Sequence, residues 1–271
     1  MIRPNTDELQ TKAVAVDYGA TRIVEDLDLK IAPGRLTVLL GPNGSGKSTI
    51  LRALARLQPV ASGTVLLDAQ AITRMSTKEF ARRVGLLAQG AMAPDGLRVI
   101  DLVRQGRYPH RPLFGGWTAD DDAAVAEALA LTSLQKLQDR PLDVLSGGQR
   151  QRAWIAMTLA QATPILLLDE PTTYLDIAHQ VDLMNLIRRL VDARAMTVVA
   201  VLHDLNQAAR YADHLIMLKS GKVMAKGPAK DIITPEVIAR AFGIEVKVFQ
   251  DPDSGLPFCL PQRTLSDPAD A

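Results

Sequence analysis

The chain carries one cysteine, Cys259, among 271 residues. A single thiol closes no internal disulfide and builds no thiolate-rich metal site, so both scaffolds are excluded. An excess of either charge is missing too: 31 Lys+Arg stand against 30 Asp+Glu, a formal net charge of +1. That balance gives no electrostatic footing for nucleic acid or an anionic lipid surface. Long hydrophobic runs are lacking; the cleanest, at 165–168 and 198–202, fall far short of a membrane span. The first ten residues hold charges and no apolar stretch, so no secretory signal is read there. No internal repeat or coiled-coil heptad is visible. His110, His179 and His214 show no i,i+4 pairing or carboxylate partner that suggests a metal site. The remaining composition, 47% apolar and 23% charged, is ordinary for a globular protein and excludes global disorder.

Short apolar runs alternate with amphipathic stretches, the pattern of an α/β protein. Strands are predicted at 12–16, 36–40, 63–67, 84–88, 165–169 and 197–202. The last two are uninterrupted, as befits central parallel strands buried on both faces. Runs at 215–218 and 222–227 flank Ser220-Gly221 and read as a hairpin. One helix opens at Gly46 and runs to about Leu57. Another spans Ala178 to Val191, with Leu183, Ile187, Leu190 and Val191 on one face and Asp176 as its cap. Between Gln89 and Ala162 the strands stop and helical patterns take over. The expected organisation is an α/β core formed by 1–88 and 163–249, an inserted all-helical subdomain at 89–162, and a Pro- and Asp-rich mobile tail at 250–271. The Gly- and Pro-rich stretches 90–99 and 107–117 are expected to be irregular.

Three motifs carry chemistry. Gly41-Pro42-Asn43-Gly44-Ser45-Gly46-Lys47-Ser48-Thr49 fits G-x-x-x-x-G-K-[ST], with a strand before it and a helix after it. Glycines let successive N–H groups converge on phosphates, and the helix start adds its positive end. Lys47 then supplies a point charge to the β/γ-phosphates and Ser48 a hydroxyl to Mg²⁺. Asp169 and Glu170 end the strand at 165–169. Asp169 is the candidate Mg²⁺ ligand and Glu170 the group that polarises an attacking water. Ser146-Gly147-Gly148-Gln149 precede a long helix, a second helix start with bare backbone positions.

The run Leu145–Gln149 resembles the signature of the ATP-binding cassette superfamily. The resemblance covers about Ala13 to Phe249. It implies a P-loop ATPase core with a mainly parallel central sheet, N-terminal antiparallel strands and an inserted helical subdomain. It also implies a homodimer in which each ATP lies between one phosphate loop and the other copy's signature. Tyr18 resembles the aromatic that stacks on adenine, Gln89 the glutamine that touches Mg²⁺, and Asp176 the aspartate that communicates across the dimer. Tyr174 stands where relatives often have a smaller residue. His203 resembles the switch histidine that contacts the γ-phosphate.

Connecting sequences at 105–117, 146–161, 175–186 and 201–215 look like those of bacterial ferric-siderophore importer ATPases. This implies transmembrane permease partners, a substrate-binding protein acting through them, and a place on the cytoplasmic face of the cell membrane. Arg107, Tyr108 and Pro109 are expected where a permease docks. Haem, vitamin B12 or another metal chelate is the alternative cargo. A soluble cassette protein acting on nucleic acid or ribosomes is a further reading, opposed by the single phosphate loop and the lack of a basic tract. A non-catalytic scaffold is opposed by the presence of Lys47, Asp169, Glu170 and His203 together.

Overall fold

The computed structural model describes residues 7–90, 93–111, 115–173 and 175–265. Three strands open the chain: β1 (Leu9–Tyr18), β2 (Thr21–Leu27) and β3 (Lys30–Ile31). They pair antiparallel, with Val14 opposite Leu27 and Leu9 opposite Ile31. β4 (Leu36–Leu40) enters a different sheet and hands over to α1 (Lys47–Leu54). β5 (Ser62–Leu67) and β6 (Gln70–Ala71) return to the first sheet; α2 (Thr77–Ala81) and β7 (Val84–Leu87) follow. Next come α3 (Val99–Gln105), α4 (Ala119–Leu131) and α5 (Gly147–Ala160). The core resumes with β8 (Ile165–Asp169), α6 (Ile177–Arg194), β9 (Thr197–Val201) and α7 (Leu205–Tyr211). β10 (His214–Lys219), β11 (Lys222–Gly227), α8 (Ala229–Ile232), α9 (Pro235–Phe242), β12 (Ile244–Gln250) and β13 (Pro257–Thr264) complete it.

The second sheet runs β11-β10-β4-β9-β8-β7. All its neighbours are parallel except the β10–β11 hairpin, which turns at Ser220-Gly221. Every residue of β4, β8 and β9 is buried, which is why these strands read as unbroken apolar runs. Period-two alternation divides them between two cores. Leu36, Val38, Leu166, Leu168, Val198 and Ala200 pack with α6 and α7. Leu39, Ile165, Leu167, Val199 and Val201 pack with α1 and the antiparallel strands. Each such Leu, Ile or Val side chain contributes about 1.5–3 kcal/mol on full burial, so the sheet is a rigid platform for whatever its strand ends carry.

α3, α4 and α5 enclose a third core of Leu102, Val103, Val125, Leu129, Ala153 and Ala156. Capping boxes start two of these helices: Thr118 with Asp121, and Ser146 with Gln149. Arg107 differs from its expected docking role. It is 6% exposed, its Nε donates to Asp121 Oδ1 at 2.8 Å, and Nη1 donates to the Ala160 carbonyl at 2.9 Å. It ties α4 to α5 from inside, while Tyr108, 74% exposed, stands on a one-turn 3-10 segment at Tyr108–His110. Within the two stretches expected to be irregular, residues 91–92 and 112–114 lie outside the described residues, as does Tyr174.

The mobile tail expected after Phe249 is corrected as far as residue 265. β13 pairs antiparallel with β12, Phe249 lying opposite Phe258 and Val248 opposite Cys259. Cys259 is 2% exposed in the main core, and its backbone N–H and carbonyl are both held by the Asn206 side chain at 2.7 and 3.1 Å. Asp251, Pro252 and Asp253, among the residues that suggested a tail, lie in the connecting turn. There Asp251 N–H donates to the Leu256 carbonyl and Ser254 Oγ to Asp251.

Candidate functional site

The ends of β4, β8 and β9 bring the sequence motifs to one edge of the platform. Gly41 leaves β4 at φ 152°, and a Cβ there would lie 2.2 Å from the Leu218 carbonyl oxygen on β10. Only glycine passes so close to a neighbouring strand. Asn43 and Gly44 form the exposed loop tip, and Ser45 and Gly46 turn inward to start α1. Thr49 lies in the first turn of that helix. Lys47 is 5% exposed, and its ammonium donates to the carbonyls of Gly41 and Pro42, both at 2.9 Å. Burial pushes this ammonium below its ordinary pKa, while Glu170 and Asp169 pull it back up.

Ser48 Oγ donates to Asp169 Oδ1 at 2.8 Å. The other oxygen, Oδ2, is buried without a hydrogen-bond partner; the nearest cation, Arg52 Nε, stands 4.0 Å away. Burial pushes the Asp169 carboxyl up, opposed first by the Ser48 hydroxyl and then by Arg52. A hydroxyl beside an unpartnered carboxylate oxygen is a hard-oxygen donor pair that suits Mg²⁺.

Glu170 follows at φ 52°, a left-handed conformation uncommon for a residue with a Cβ. Its carboxylate gathers the polar side chains around it. Oε1 is 2.7 Å from His203 Nε2; Oε2 accepts from Gln89 Nε2 at 2.7 Å and from Thr173 Oγ1 at 3.2 Å. Gln89 comes from the end of β7 and His203 from the end of β9, so one carboxylate joins three strand ends. A cleft of about 230 Å³ opens beside it, lined by Gln89, Asp169, Glu170 and Gly147.

The 146–149 helix start uses its own polar groups. Ser146 Oγ accepts from Gln149 N–H at 3.3 Å, and Gln149 Oε1 accepts from Ser146 N–H at 3.1 Å. Among the described residues, no hydrogen bond joins Ser146–Gln149 to the loop 41–49. Asp176 caps α6 as expected, its Oδ1 accepting from His179 N–H at 2.9 Å. That bond and the His179 ring hold its carboxyl below the usual range. Tyr18 ends β1, 44% exposed, on the hairpin whose second strand lies against Gly46.

Sequence reasoning missed His179. Its Nδ1 lies 2.7 Å from Asp176 Oδ1, and its ring lies over Gly148, where a Cβ would come within 2.5 Å of Cδ2. The imidazole thus bridges the capping loop of α6 and the glycine turn of α5. The signal was the i,i+3 spacing of Asp176 and His179, a helix-face neighbour relation. The His110 ring, by contrast, meets the Gln161 carbonyl, at 2.7 Å.

A family model described as ABC transporter matches residues 24–173. The ferric enterobactin transport ATP-binding protein of Escherichia coli K12 is 50% identical over 253 residues, covering 93% of each chain. Among solved structures, an inward-facing putative metal-chelate type ABC transporter superposes with TM-score 0.83 at 27% identity, over 95% of this chain and 98% of the other. A bacterial ABC transporter cassette solved as a dimer gives TM-score 0.72 at 28% identity, over 81% and 98%.

Proposed function

This chain belongs to the ABC transporter family, and from that membership we propose that it is the ATP-hydrolysing subunit of a bacterial importer that powers iron(III)-siderophore uptake. The observation that carries the ATPase reading is the meeting of the loop 41–49, Asp169, Glu170, Gln89 and His203 at adjacent strand ends. The cargo reading rests on the half-identical relative that serves ferric enterobactin.

In this reading the loop's N–H groups and Lys47 hold the β- and γ-phosphates, and Tyr18 stacks on the adenine. Lys47 exchanges its two carbonyl acceptors for phosphate oxygens. Ser48, Asp169 and Gln89 would hold Mg²⁺, which when bound neutralises phosphate charge. Glu170 orients the attacking water and accepts its proton; to do so it must give up at least one of its present partners. His203 is free to turn to the γ-phosphate once it leaves Glu170.

A homodimer completes the site. Ser146, Gly147 and Gly148 carry an anion-binding helix start that makes no bond to this chain's own phosphate loop, which supports a role on the nucleotide of a second copy. ATP then has higher affinity for the closed pair than the open one, and hydrolysis reverses that preference. We assign the segment 89–162 as the mechanical unit, with exposed Tyr108 as its anchor to the permease. The permease receives cargo from a substrate-binding protein. Among the described residues no helix is long and apolar enough to cross a membrane, which fits docking at the cytoplasmic face of a membrane-spanning partner.

The test is reconstitution with the permease and binding protein, reading entry of labelled ferric siderophores, haem and cobalamin. ATP-dependent entry of ferric siderophore alone is expected, with turnover down at least about 100-fold in Glu170→Gln while ATP still binds. Undiminished turnover in that variant refutes the role of Glu170, and preferential entry of haem or cobalamin refutes the cargo.

A further inference from the structure

The C-terminal hairpin creates an apolar face that the nucleotide site does not use. Between α6, α7 and β12–β13 lies an open cleft of about 1010 Å³. One wall holds Ile177 and Val181, one helical turn apart and 80% and 44% exposed. The other holds Phe249 and Phe258, direct cross-strand partners that are 51% and 46% exposed. Four large apolar side chains around one cleft exceed the scattered single exposures normal for a monomer surface. Charges of both signs, Arg210 with Asp204, Asp251 and Asp253, line the same cleft.

We propose that this face is covered by the same face of a second copy of the chain, so that the dimer seam continues past the nucleotide and across the hairpin. The proposal rests on the head-to-tail dimer argued above. Its geometric basis is continuity. Asp176 holds the His179 ring that lies over Gly148, in the helix start proposed above to meet the second copy's nucleotide, and it is bonded directly to Ile177, neighbouring Cα atoms being about 3.8 Å apart. Val181 lies only about 6 Å further along the α6 axis. The cleft's third wall begins at Asp204, the residue after His203. A partner that reaches Asp176 therefore meets this apolar face. A two-fold contact sets a face against itself, so the apolar side chains of the two copies meet and Arg210 of each copy faces a surface that carries carboxylates. The contact involves no nucleotide, so it survives phosphate cleavage and keeps the two copies in register for the next ATP.

The experiment uses the full-length chain carrying Glu170→Gln with saturating ATP, and reads the dimer dissociation constant by sedimentation velocity. Adding Val181→Asp or Phe258→Asp raises that constant at least tenfold at the same saturating ATP. Leu57→Asp, at an exposed apolar residue outside the cleft, leaves it as in the parent. The two test residues lie on separate elements, so Val181→Asp carries the result if thermal unfolding shows that the hairpin variant is not folded. An unchanged dimer constant in the folded variants overturns the proposal. A parent that never dimerises with ATP overturns the head-to-tail reading, and this inference with it.

Discussion

Alanine at position 148 tests the His179 bridge most directly. An added Cβ would lie 2.5 Å from Cδ2 and 2.7 Å from Cγ of His179. Carbon atoms rest at about 3.5–4.0 Å, so the ring or the helix start must retreat by roughly 1 Å. The ring is not free to do so, because Asp176 Oδ1 holds both its Nδ1 and the residue's own N–H, at 2.7 and 2.9 Å. Overpacking of this kind costs about 1–3 kcal/mol. At roughly 2–4 °C per kcal/mol for a chain of this size, the melting temperature falls by about 2–12 °C. His179→Ala removes the group that the new methyl strikes and costs about 1 kcal/mol by itself. In that background Gly148→Ala becomes neutral or slightly stabilising, since alanine favours helix over glycine. The double-mutant cycle, read by urea unfolding of all four chains, should give a coupling of about 1–3 kcal/mol. Additive losses would mean that His179 is not what excludes a side chain at 148, and the bridge would be refuted.

Asp169→Asn should abolish Mg²⁺-dependent turnover yet stabilise the nucleotide-free chain by about 0.5–2 kcal/mol. A carboxyl whose folded pKa is raised weakens the fold increasingly as pH rises above its unfolded value of about 3.9. The gain should therefore be present at pH 7 and vanish near pH 3 in unfolding titrations; a destabilised variant at pH 7 contradicts the burial argument. Arg107→Ala leaves the Asp121 charge buried and should cost about 3–5 kcal/mol at pH 7. The Arg107 side chain holds the Asp121 carboxyl below its usual range, so the pair contributes above about pH 4 and is lost as pH falls through the folded pKa. Wild type and variant should converge in acid, and a pH-independent gap counts against this. Lys47→Ala should weaken ATP binding at least about tenfold, some 1.4 kcal/mol, by equilibrium titration; unchanged affinity contradicts the phosphate-loop assignment.

How much was readable beforehand differs between regions for physical reasons. The strands at 36–40 and 165–169 coincide with β4 and β8 because both faces are buried, so burial writes itself into every residue. The cap at Asp176 and the hairpin at Ser220-Gly221 were equally legible, since both are local chemistry within three or four residues. The hairpin at 244–264 was hidden. Only Pro257 and Cys259 of β13 are buried, and its turn is built from the same Asp, Ser, Gly and Pro that mark a tail. Arg107 was misread because an arginine beside an exposed tyrosine looks solvated until Asp121 and the Ala160 carbonyl, 14 and 53 residues away, are brought against it.

By itself the sequence determined the alternation of elements, the phosphate loop and the family, because each depends on spacing along the chain. Tertiary structure alone decided which groups share a carboxylate. Glu170 meets Gln89 and His203 only because β7, β8 and β9 are adjacent in the sheet. It also decided that His179 closes on Gly148 and that Phe249 and Phe258 share one face with Ile177. Those contacts depend on distances across space, which hydrophobic period and motif spacing do not encode.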